Sequence, residues 1–405
     1  MKIPWHRALV TRTTTRQSGT GYGAGAFRRK SVSSSAAADA ARAELARYDL
    51  SHADCNVTTN IASRIGKHLH RQPLHPLYNI QQRIQNYWGN GFQVYDDLSP
   101  IVSTANNFDR LRIPSDHVSR SASDTYYLDR QTVLRTHTSA HQVDLLRAGA
   151  NQFLVTGDVY RRDEIDRSHY PVFHQTEGVK MFANEVLSGM SETERIDWIE
   201  RDLKQGLEGL AAHLFGPTEM RWVDAYFPFT HPSYELEILF QDEWLEVLGC
   251  GVIHPDIVTN AGRVGEQGWA FGLGLERLAM VLYGIPDIRL FWTEDARFHE
   301  QFASGEIVTF QPYSKFPACY KDMSFWIQPD FHVNDLNELV RDVAGDLVEQ
   351  VELIDNFTNP KSMKTSHCYR ISYRSMDRSL TNEEIDKLQE KVRNLTEKQL
   401  HVVLR

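Results

Sequence analysis

The chain has 405 residues, 41% of them hydrophobic, and a formal net charge of -9 at pH 7. This length and apolar content predict two or three domains with substantial cores. No apolar run approaches the roughly 20 residues that a membrane-spanning helix needs, which excludes a helical membrane protein and predicts a soluble one. The negative balance also means that binding to a polyanion must depend on local basic patches.

The N-terminal segment differs from the rest of the chain in charge. Its first 38 residues contain no Asp or Glu but carry seven Lys and Arg residues among many Ser, Thr, Gly and Ala. That composition is typical of an organelle transit peptide, which is removed after import; a basic disordered tail is the alternative. Without these seven cations the formal charge falls from -9 to about -16. Residues 39–75 follow as an N-terminal extension whose function the sequence does not reveal.

The first clear periodic element is a helix that starts after His75. Pro76 suits a first helical turn, and Leu77, Ile80 and Ile84 follow at helical spacing. Further on, from Tyr126 to Arg277, short apolar strands are broken by polar turns and interrupted by one long helix near residues 192–215. Runs of strands with inserted helices favour an antiparallel α+β core over a parallel dinucleotide-binding sheet.

The last part of the chain has a different pattern. Residues 293–310 form a polar stretch, which is predicted to be a linker between domains. The segment after it reads strand, helix, strand, strand, helix, strand, and Thr381 with Glu384 resembles a capping box at the start of its second helix. This order predicts a ferredoxin-like α/β sandwich over residues 311–405.

Two arginines lie in settings that suit a nucleotide clamp. Arg161 leaves an apolar strand within Gly157–Asp163, and Arg277 opens an apolar helix after the glycines of Gly268–Gly274. The guanidinium group keeps its charge, pairs bidentately with phosphate oxygens and stacks on flat rings. Phe173, on the return strand after Arg161, offers a ring for an adenine. The pair therefore predicts a site that holds a nucleoside triphosphate from both sides.

These two segments resemble motifs 2 and 3 of the class II aminoacyl-tRNA synthetases. Four further segments resemble the phenylalanyl-tRNA synthetases of the single-chain mitochondrial type in the same order, and the resemblance runs from about Pro73 to the last residue. These segments are Leu134–Ser139, Phe227–Phe229, Glu243–Gly249 and Ile285–Arg289. The resemblance implies a class II antiparallel β-sheet catalytic core with flanking helices over residues 76–292, an anticodon-binding C-terminal domain, a monomer and a place in the mitochondrial matrix.

The reaction that the resemblance implies is the activation of L-phenylalanine by ATP to phenylalanyl-adenylate, followed by transfer to the terminal adenosine of tRNA(Phe). Arg161 is then expected to hold the α-phosphate and the amino acid carboxylate, Arg277 the γ-phosphate, and Phe173 the adenine face. Asp163 stands where the class usually has Glu, and is expected to contact ATP with a shorter reach. A class II synthetase for another amino acid and a non-catalytic RNA-binding paralogue are the alternatives.

The resemblance also assigns a phenylalanine pocket. The residues expected around the substrate's amino group are His137, Ser139, Gln175 and Glu177. Phe227 and Phe229 match the wall that stacks on the phenyl ring, and Ala270 matches the pocket floor. Taken alone, the two phenylalanines would be interpreted as core packing and the histidine as a satisfied core residue.

Two further groups of charged residues have open interpretations. Glu237 and Glu246 lie on apolar strands, where they either hold the Mg²⁺ that accompanies ATP or pair with nearby arginines. A basic cluster in the C-terminal domain is predicted to bind tRNA, with Tyr369 and Tyr373 stacking on unpaired bases; a solvated strand face is the alternative. The members of this cluster are Lys361, Lys364, Arg370, Arg374 and Arg378.

Overall fold

The computed structural model describes residues 34–312, 316–376 and 378–405. Most of the predicted transit peptide, residues 1–33, lies outside the described residues. Its last five residues, 34–38, belong to the first helix, α1 (Ser34–Leu45), in which Ala37 and Ala41 are buried. The start of α1 therefore belongs to the same compact unit as the rest of the described chain.

The N-terminal extension packs into the core of this unit. It contains the rest of α1 and all of α2 (Thr59–Arg64), and Val57, Ile61 and Ile65 of this region are buried. The predicted helix after His75 is confirmed as α3 (Pro76–Trp88), where the His75 ring accepts a hydrogen bond from the Leu77 N–H. The apolar face of α3 is buried because it packs beneath the main sheet.

The predicted antiparallel core is confirmed as a seven-stranded sheet in the order β1-β5-β6-β10-β9-β8-β7, in which only the β1–β5 pairing is parallel. A small sheet of order β2-β4-β3 lies beside it. The strands are β1 (Gln93–Tyr95), β2 (Ile101–Ser103), β3 (Tyr127–Asp129), β4 (Thr132–Leu134), β5 (Gln152–Tyr160), β6 (Val172–Phe182), β7 (Met220–Ala225), β8 (Thr230–Phe240), β9 (Glu243–Ile253) and β10 (Gln267–Gly274).

Helices cover one face of the main sheet. The predicted long helix is α6 (Glu192–Phe215), which starts with the full capping box of Ser191 and Glu194. The remaining helices of this part are α4 (Thr104–Asn107), α5 (Gln142–Arg147), α7 (Pro255–Asn260), α8 (Leu275–Tyr283) and α9 (Ala296–His299). Apolar side chains of α3, α6 and α8 join those of the sheet in one core. On the other face a second, smaller core joins the sheet to α5, α7 and the small sheet, and the cleft opens on this side.

The stretch predicted as a linker is packed rather than extended. Within residues 293–310, Phe298, Phe302 and Phe310 are buried in the core of the main sheet. Polar residues dominate this stretch, so its composition hides the aromatic side chains that attach it to the core. The domain boundaries themselves stay a prediction.

The C-terminal region has the predicted ferredoxin-like order. Its elements are β11 (Cys319–Trp326), α10 (Val333–Ala344), β12 (Val348–Thr358), β13 (Thr365–Tyr373), α11 (Asn382–Gln399) and β14 (Val403–Leu404). They form a sheet of order β12-β13-β11-β14 with a separate apolar core between sheet and helices. Among all the helices in the described parts of the chain, none has both the length and the apolar character needed to span a membrane.

Candidate active site

A cleft of about 620 Å³ opens on the face of the main sheet opposite α6. Most of the residues that the sequence predicts for the site line this cleft together. They are His137, Ser139, Arg161, Asp163, Gln175, Glu177, Phe227, Phe229, Glu246 and Ala270. Phe173 and Arg277 lie next to the cleft without lining it, and Glu237 does not line it either.

Strand β6 and its partner β10 form the centre of the cleft. Side chains alternate along a strand, so Gln175 and Glu177 face the cleft while Thr176 between them faces the helices. In the register with β10, Gln175 lies opposite Gly274 and Glu177 opposite Gly272. A Cβ atom built on either glycine would meet nothing within 4 Å, so both positions leave open space above the strand. A ligand can approach the backbone closely at these two glycines.

The apolar end of the cleft suits a phenyl ring. The rings of Phe227 and Phe229 are stacked, with centroids 5.8 Å apart and planes at 15°. Gly249 makes this wall possible, because a Cβ atom there would lie 2.8 Å from the Phe227 ring. Ala270 is nearly buried in the same cleft. The sequence interpretation missed Cys250, which also lines the cleft and stays a neutral thiol because burial raises its pKa to about 12.

Glu177 is the most unusual charged group of the cleft. It is 2% exposed, and neither carboxylate oxygen has a hydrogen-bond partner within the described residues. Burial raises its pKa to about 7, and the nearby hydroxyls of Ser139 and Thr138 only partly oppose this rise. A buried carboxylate without a cation is unfavourable unless a ligand supplies the missing charge. Its position is therefore suited to an ammonium group.

His137 adds an acceptor beside this carboxylate. Its Nε2 lies 3.1 Å from the Asn107 carbonyl oxygen, and its Nδ1 is buried without a partner among the described residues. Burial, followed by the charge of Arg161, lowers the pKa of His137 to about 3. The ring is therefore neutral, and if Nε2 donates to the carbonyl, Nδ1 keeps a lone pair for a donor of the ligand.

Arg161 is held in place at the end of β5. Its Nε donates a 2.8 Å hydrogen bond to the Thr136 carbonyl oxygen, and its guanidinium lies 5.1 Å from the Phe173 ring centroid. Burial lowers the pKa of Arg161, while the neighbouring charge of Asp163 raises it. A guanidinium fixed through Nε still has its terminal nitrogens available for an anion. The contact with Arg161 also means that one part of the Phe173 ring is already covered by a cation.

The carboxylates near the cleft differ from those expected. Glu237 pairs with Arg221 at 2.5 Å, outside the cleft, whereas Glu235 lines the cleft beside Glu246. Burial raises the pKa of Glu235, and the like charges of Glu246 and Glu237 raise it further. Arg277, at the start of α8, lies 3.3 Å from Glu246. Of the two alternatives for Glu237, the pairing with an arginine is the one that the structure has. Glu235, two residues earlier on β8, lines the cleft and was missed.

The C-terminal domain contacts the loop that follows Arg161. The Asn334 side chain donates to the carbonyl oxygen of Arg162 at 3.2 Å, and Arg341 donates to those of Asp163 at 2.9 Å and Glu164 at 3.3 Å. Arg162 in turn pairs with Asp335 at 3.1 Å. Helix α10 therefore holds the backbone of this loop, a contact for which the sequence carries no motif.

The members of the predicted tRNA-binding cluster differ in whether they have a carboxylate partner. Its three arginines have carboxylate partners within the C-terminal region, while Lys361 and Lys364 are exposed near the turn between β12 and β13. The arginine pairs are Arg370 with Asp322, Arg374 with Glu349 and Arg378 with Glu384. Tyr369 and Tyr373 are buried against the helices, so the prediction that they stack on bases is wrong. Exposed aromatic side chains of this region include Tyr320 and Phe357.

Comparisons with known proteins identify two families in this chain. Residues 56–302 match the family of tRNA synthetases class II core domain (F), and residues 314–405 match the ferredoxin-fold anticodon binding domain. The chain is 56% identical to the chloroplastic/mitochondrial phenylalanine–tRNA ligase of Arabidopsis thaliana, over 91% of this chain and 88% of that protein. It is 50% identical to the mitochondrial phenylalanine–tRNA ligase of Dictyostelium discoideum (86% and 89% covered) and 51% identical to that of Mus musculus (83% of each).

Proposed function

The chain belongs to the family of mitochondrial phenylalanine–tRNA ligases, and from this premise we propose how its cleft carries out the family's reaction. The enzyme activates phenylalanine with ATP and joins it to tRNA. The observation that carries the assignment of the cleft is Glu177, a buried carboxylate without a partner in the described chain, beside a wall of two stacked phenylalanine rings. An α-amino acid with an aromatic side chain matches both features.

Phenylalanine lies with its ammonium group at Glu177 and its ring at Phe227 and Phe229. The ammonium has three donors, and the Glu177 carboxylate, the His137 Nδ1 lone pair and the Ser139 hydroxyl are acceptors around it. The phenyl ring displaces water from the apolar end of the cleft, which favours binding. The amino acid carboxylate then points toward Arg161, which carries the opposite charge.

The chemical step needs positioning and charge stabilisation more than an enzyme nucleophile. The amino acid carboxylate attacks the α-phosphorus of ATP, and pyrophosphate leaves on the opposite side. Arg161, fixed by its bond to the Thr136 carbonyl, neutralises the negative charge that builds on the α-phosphate oxygens. Arg277 neutralises the leaving phosphates from the start of α8, where the helix dipole also favours an anion.

Magnesium fits the acidic side of this cleft. Glu235 and Glu246 line the cleft. Burial raises the pKa of Glu235 and the like charge of Glu246 raises it further, and a divalent cation would oppose this repulsion. Carboxylate oxygens are the ligands that Mg²⁺ prefers. When bound, Mg²⁺ supplies positive charge against phosphate oxygens of ATP. We assign this role to Glu235 and Glu246, with Arg277 free to leave Glu246 for the ATP phosphates.

The assembly and location follow from different observations. The apolar face of α3 is buried within the chain, and its Tyr87 hydroxyl donates to the Gly206 carbonyl oxygen on α6 at 2.8 Å. No free apolar face of α3 is left for a second subunit, which supports a monomer. The relatives from Dictyostelium discoideum and Mus musculus are named mitochondrial, and we place this enzyme in the mitochondrion and its work in the matrix.

The tRNA contact rests on the C-terminal domain. Lys361 and Lys364 are exposed at the tip between β12 and β13, and neither forms an ion pair with another described residue. Free ammonium groups at a protruding tip suit a phosphate backbone. The exposed rings of Tyr320 and Phe357 replace the buried tyrosines as candidates for stacking on unpaired bases.

ATP–pyrophosphate exchange measured with each of the amino acids tests the proposal. Phenylalanine should support exchange, and Glu177→Gln should remove most of it. Ala270→Gly should admit phenylalanines with a para substituent, because it enlarges the floor of the pocket. Exchange with a different amino acid would assign the cleft to another substrate, and no exchange with any amino acid would indicate a non-catalytic RNA-binding protein.

A further inference from the structure

The ladder between β6 and β10 stops close to Phe173 and Arg277, two of the residues assigned to ATP. Its last registered pair joins Gln175 to Gly274, after which the chain turns into helix α8 at Leu275. The N–H of the preceding residue on β6, His174, therefore has no strand partner beyond the end of β10. A buried backbone donor without an acceptor is costly, so the junction needs another group.

The side chain of Glu276 supplies that acceptor. Its Oε2 lies 2.7 Å from the His174 backbone nitrogen, and its Oε1 lies 2.7 Å from the His174 Nδ1. Both residues are buried, Glu276 at 2% exposure and His174 at 0%. One carboxylate thus accepts two hydrogen bonds from a single residue, which fixes both the strand backbone and the imidazole ring. Bonds to an ionised acceptor are about twice as strong as neutral ones.

The chain neighbours of this pair are Phe173 and Arg277, two of the residues assigned to ATP. Phe173 precedes His174, and because side chains alternate on a strand, its ring lies on the cleft side while His174 lies behind the sheet. Arg277 follows Glu276, and its side chain is 55% exposed while Glu276 points inward. The two bonds therefore join the strand and the helix directly behind Phe173 and Arg277.

We propose that Glu276 and His174 are a positioning pair that sets the spacing between the adenine end of the ATP site on β6 and the phosphate end on α8. This inference rests on the ATP assignment in the proposed function. Neither residue touches the ligand, so their contribution is geometric: misplacement of a gripping residue by about 1 Å can reduce the rate about 100-fold. In the phenylalanine pocket, Gln175 and Glu177 are held by the strand ladder with β10, and Phe227 and Phe229 precede β8. The effect is therefore expected mainly on ATP and much less on phenylalanine.

The test is steady-state ATP–pyrophosphate exchange by the full-length enzyme, with ATP and phenylalanine varied separately. Glu276→Leu keeps the volume but removes both acceptors, and should raise the KM for ATP or lower kcat by about tenfold or more. The KM for phenylalanine should stay within about twofold of wild type, since the phenylalanine pocket is not displaced. Glu276→Gln keeps an oxygen for the His174 N–H, and its activity should stay within about threefold of wild type.

A matched control removes a buried hydrogen bond from the same face of the sheet without touching α8. Thr156→Val breaks the 2.9 Å bond between the Thr156 and Thr176 hydroxyls, which joins β5 to β6. It should leave the KM for ATP near wild type even if stability falls. If Thr156→Val and Glu276→Leu change both KM values in the same way, the pair is merely structural and the inference is wrong.

His174→Ala provides a milder variant in case Glu276→Leu does not fold, because it removes only the imidazole bond and leaves the backbone bond. It should raise the KM for ATP by a few-fold, and in a Glu276→Gln background it should add less than it does alone. A wild-type KM for ATP in His174→Ala, together with a large effect of Arg277→Ala, would reject the pair and leave the ATP site standing. A wild-type KM for ATP in Arg277→Ala as well would reject the ATP assignment and the pair with it.

Discussion

The cleft and the C-terminal sheet both carry charged residues that the sequence assigns to ligands, but the two regions treat these residues differently. In the cleft, the Glu177 carboxylate and the His137 Nδ1 are buried and have no partner within the described residues. On the C-terminal sheet, Arg370 and Arg374 are each paired with a carboxylate of the same region. A buried group without a partner is unfavourable and marks a place where a ligand completes the site, whereas a run of positive charge does not by itself indicate a free surface.

The largest loss of activity is expected when Arg161 or Arg277, the two arginines assigned to the ATP phosphates, is replaced. Arg161→Ala or Arg277→Ala should each reduce phenylalanine-dependent pyrophosphate exchange by roughly 100- to 1000-fold, because each removes charge stabilisation from the reacting phosphates. Arg221→Ala is the matched control, since Arg221 pairs with Glu237 outside the cleft. A loss with Arg221→Ala equal to that with Arg161→Ala would show that the loss reflects folding and not the clamp.

The next largest effect is expected at Glu177. Glu177→Gln should raise the KM for phenylalanine by roughly 10- to 100-fold, because a charged hydrogen-bond partner of the ammonium group is lost. The wild-type KM should itself fall as the pH rises through about 7, where Glu177 loses its proton. The variant should lose this pH dependence. A KM for phenylalanine that is unchanged by the substitution would remove Glu177 from the substrate site.

The same substitution should stabilise the free protein at high pH. Burial raises the pKa of Glu177 from its ordinary value of 4.5 to about 7, so between these values the folded chain holds a proton that the unfolded chain has released. The stability of the wild type therefore falls as the pH rises through this window. In the absence of phenylalanine, Glu177→Gln should raise the Tm by several degrees at pH 8, and the difference should disappear near pH 4.5. An equal gain at both pH values would contradict the assigned pKa.

The comparison also explains what the sequence could and could not predict. The antiparallel core, the ferredoxin-like order and the enzyme family are confirmed, because periodicity and local motifs specify them. Cleft residues were predicted where they belong to a motif, as with Gln175 and Glu177 on β6. Glu235 was missed because nothing in the sequence shows that Glu237 is already paired with Arg221.

The C-terminal cluster was harder to predict for the same reason. The partners of Arg374 and Arg378 are Glu349 and Glu384, and only the tertiary fold brings the first of these into range. The burial of Tyr369 depends on which face of β13 meets the helices, and the alternation of the strand suits either choice. A pattern of charges and rings therefore predicts a surface only after its partners are known.

A smaller effect is expected where the two regions meet. Asn334→Ala removes the side-chain bonds from α10 to the carbonyl oxygens of Ser123 and Arg162. It should lower the rate of adenylate formation by about two- to tenfold, because the loop after Arg161 loses part of its support. Tyr373→Phe, which breaks a 2.7 Å bond to Gln389 inside the C-terminal core, is the control and should not change this rate. Equal rates for wild type and Asn334→Ala would mean that the cleft does not depend on α10.

The smallest effect is expected at the exposed tip of the C-terminal sheet. Replacing both Lys361 and Lys364 by Ala should raise the KM for tRNA by a few-fold and leave pyrophosphate exchange unchanged, because neither residue lines the cleft. If each lysine contacts one phosphate of a single-stranded loop, the slope of log affinity against log salt should decrease by about 1.4 for the pair. Aminoacylation and tRNA binding, measured over a range of salt concentrations, give these values.

Arg370→Ala is the control for the two lysines, because it removes a cation that already has a carboxylate partner. Both of its bonds to Asp322 measure 2.8 Å, so its charge is already neutralised within the domain. Its removal should therefore change the salt slope much less than removal of the two lysines, even though all three residues belong to one basic segment of the sequence. If Arg370→Ala weakens tRNA binding as much as the double lysine variant, the ion pair must open when tRNA binds. Ion pairs in the free protein would then no longer show which charged groups are available to a ligand. The contrast between the C-terminal sheet and the cleft would be lost.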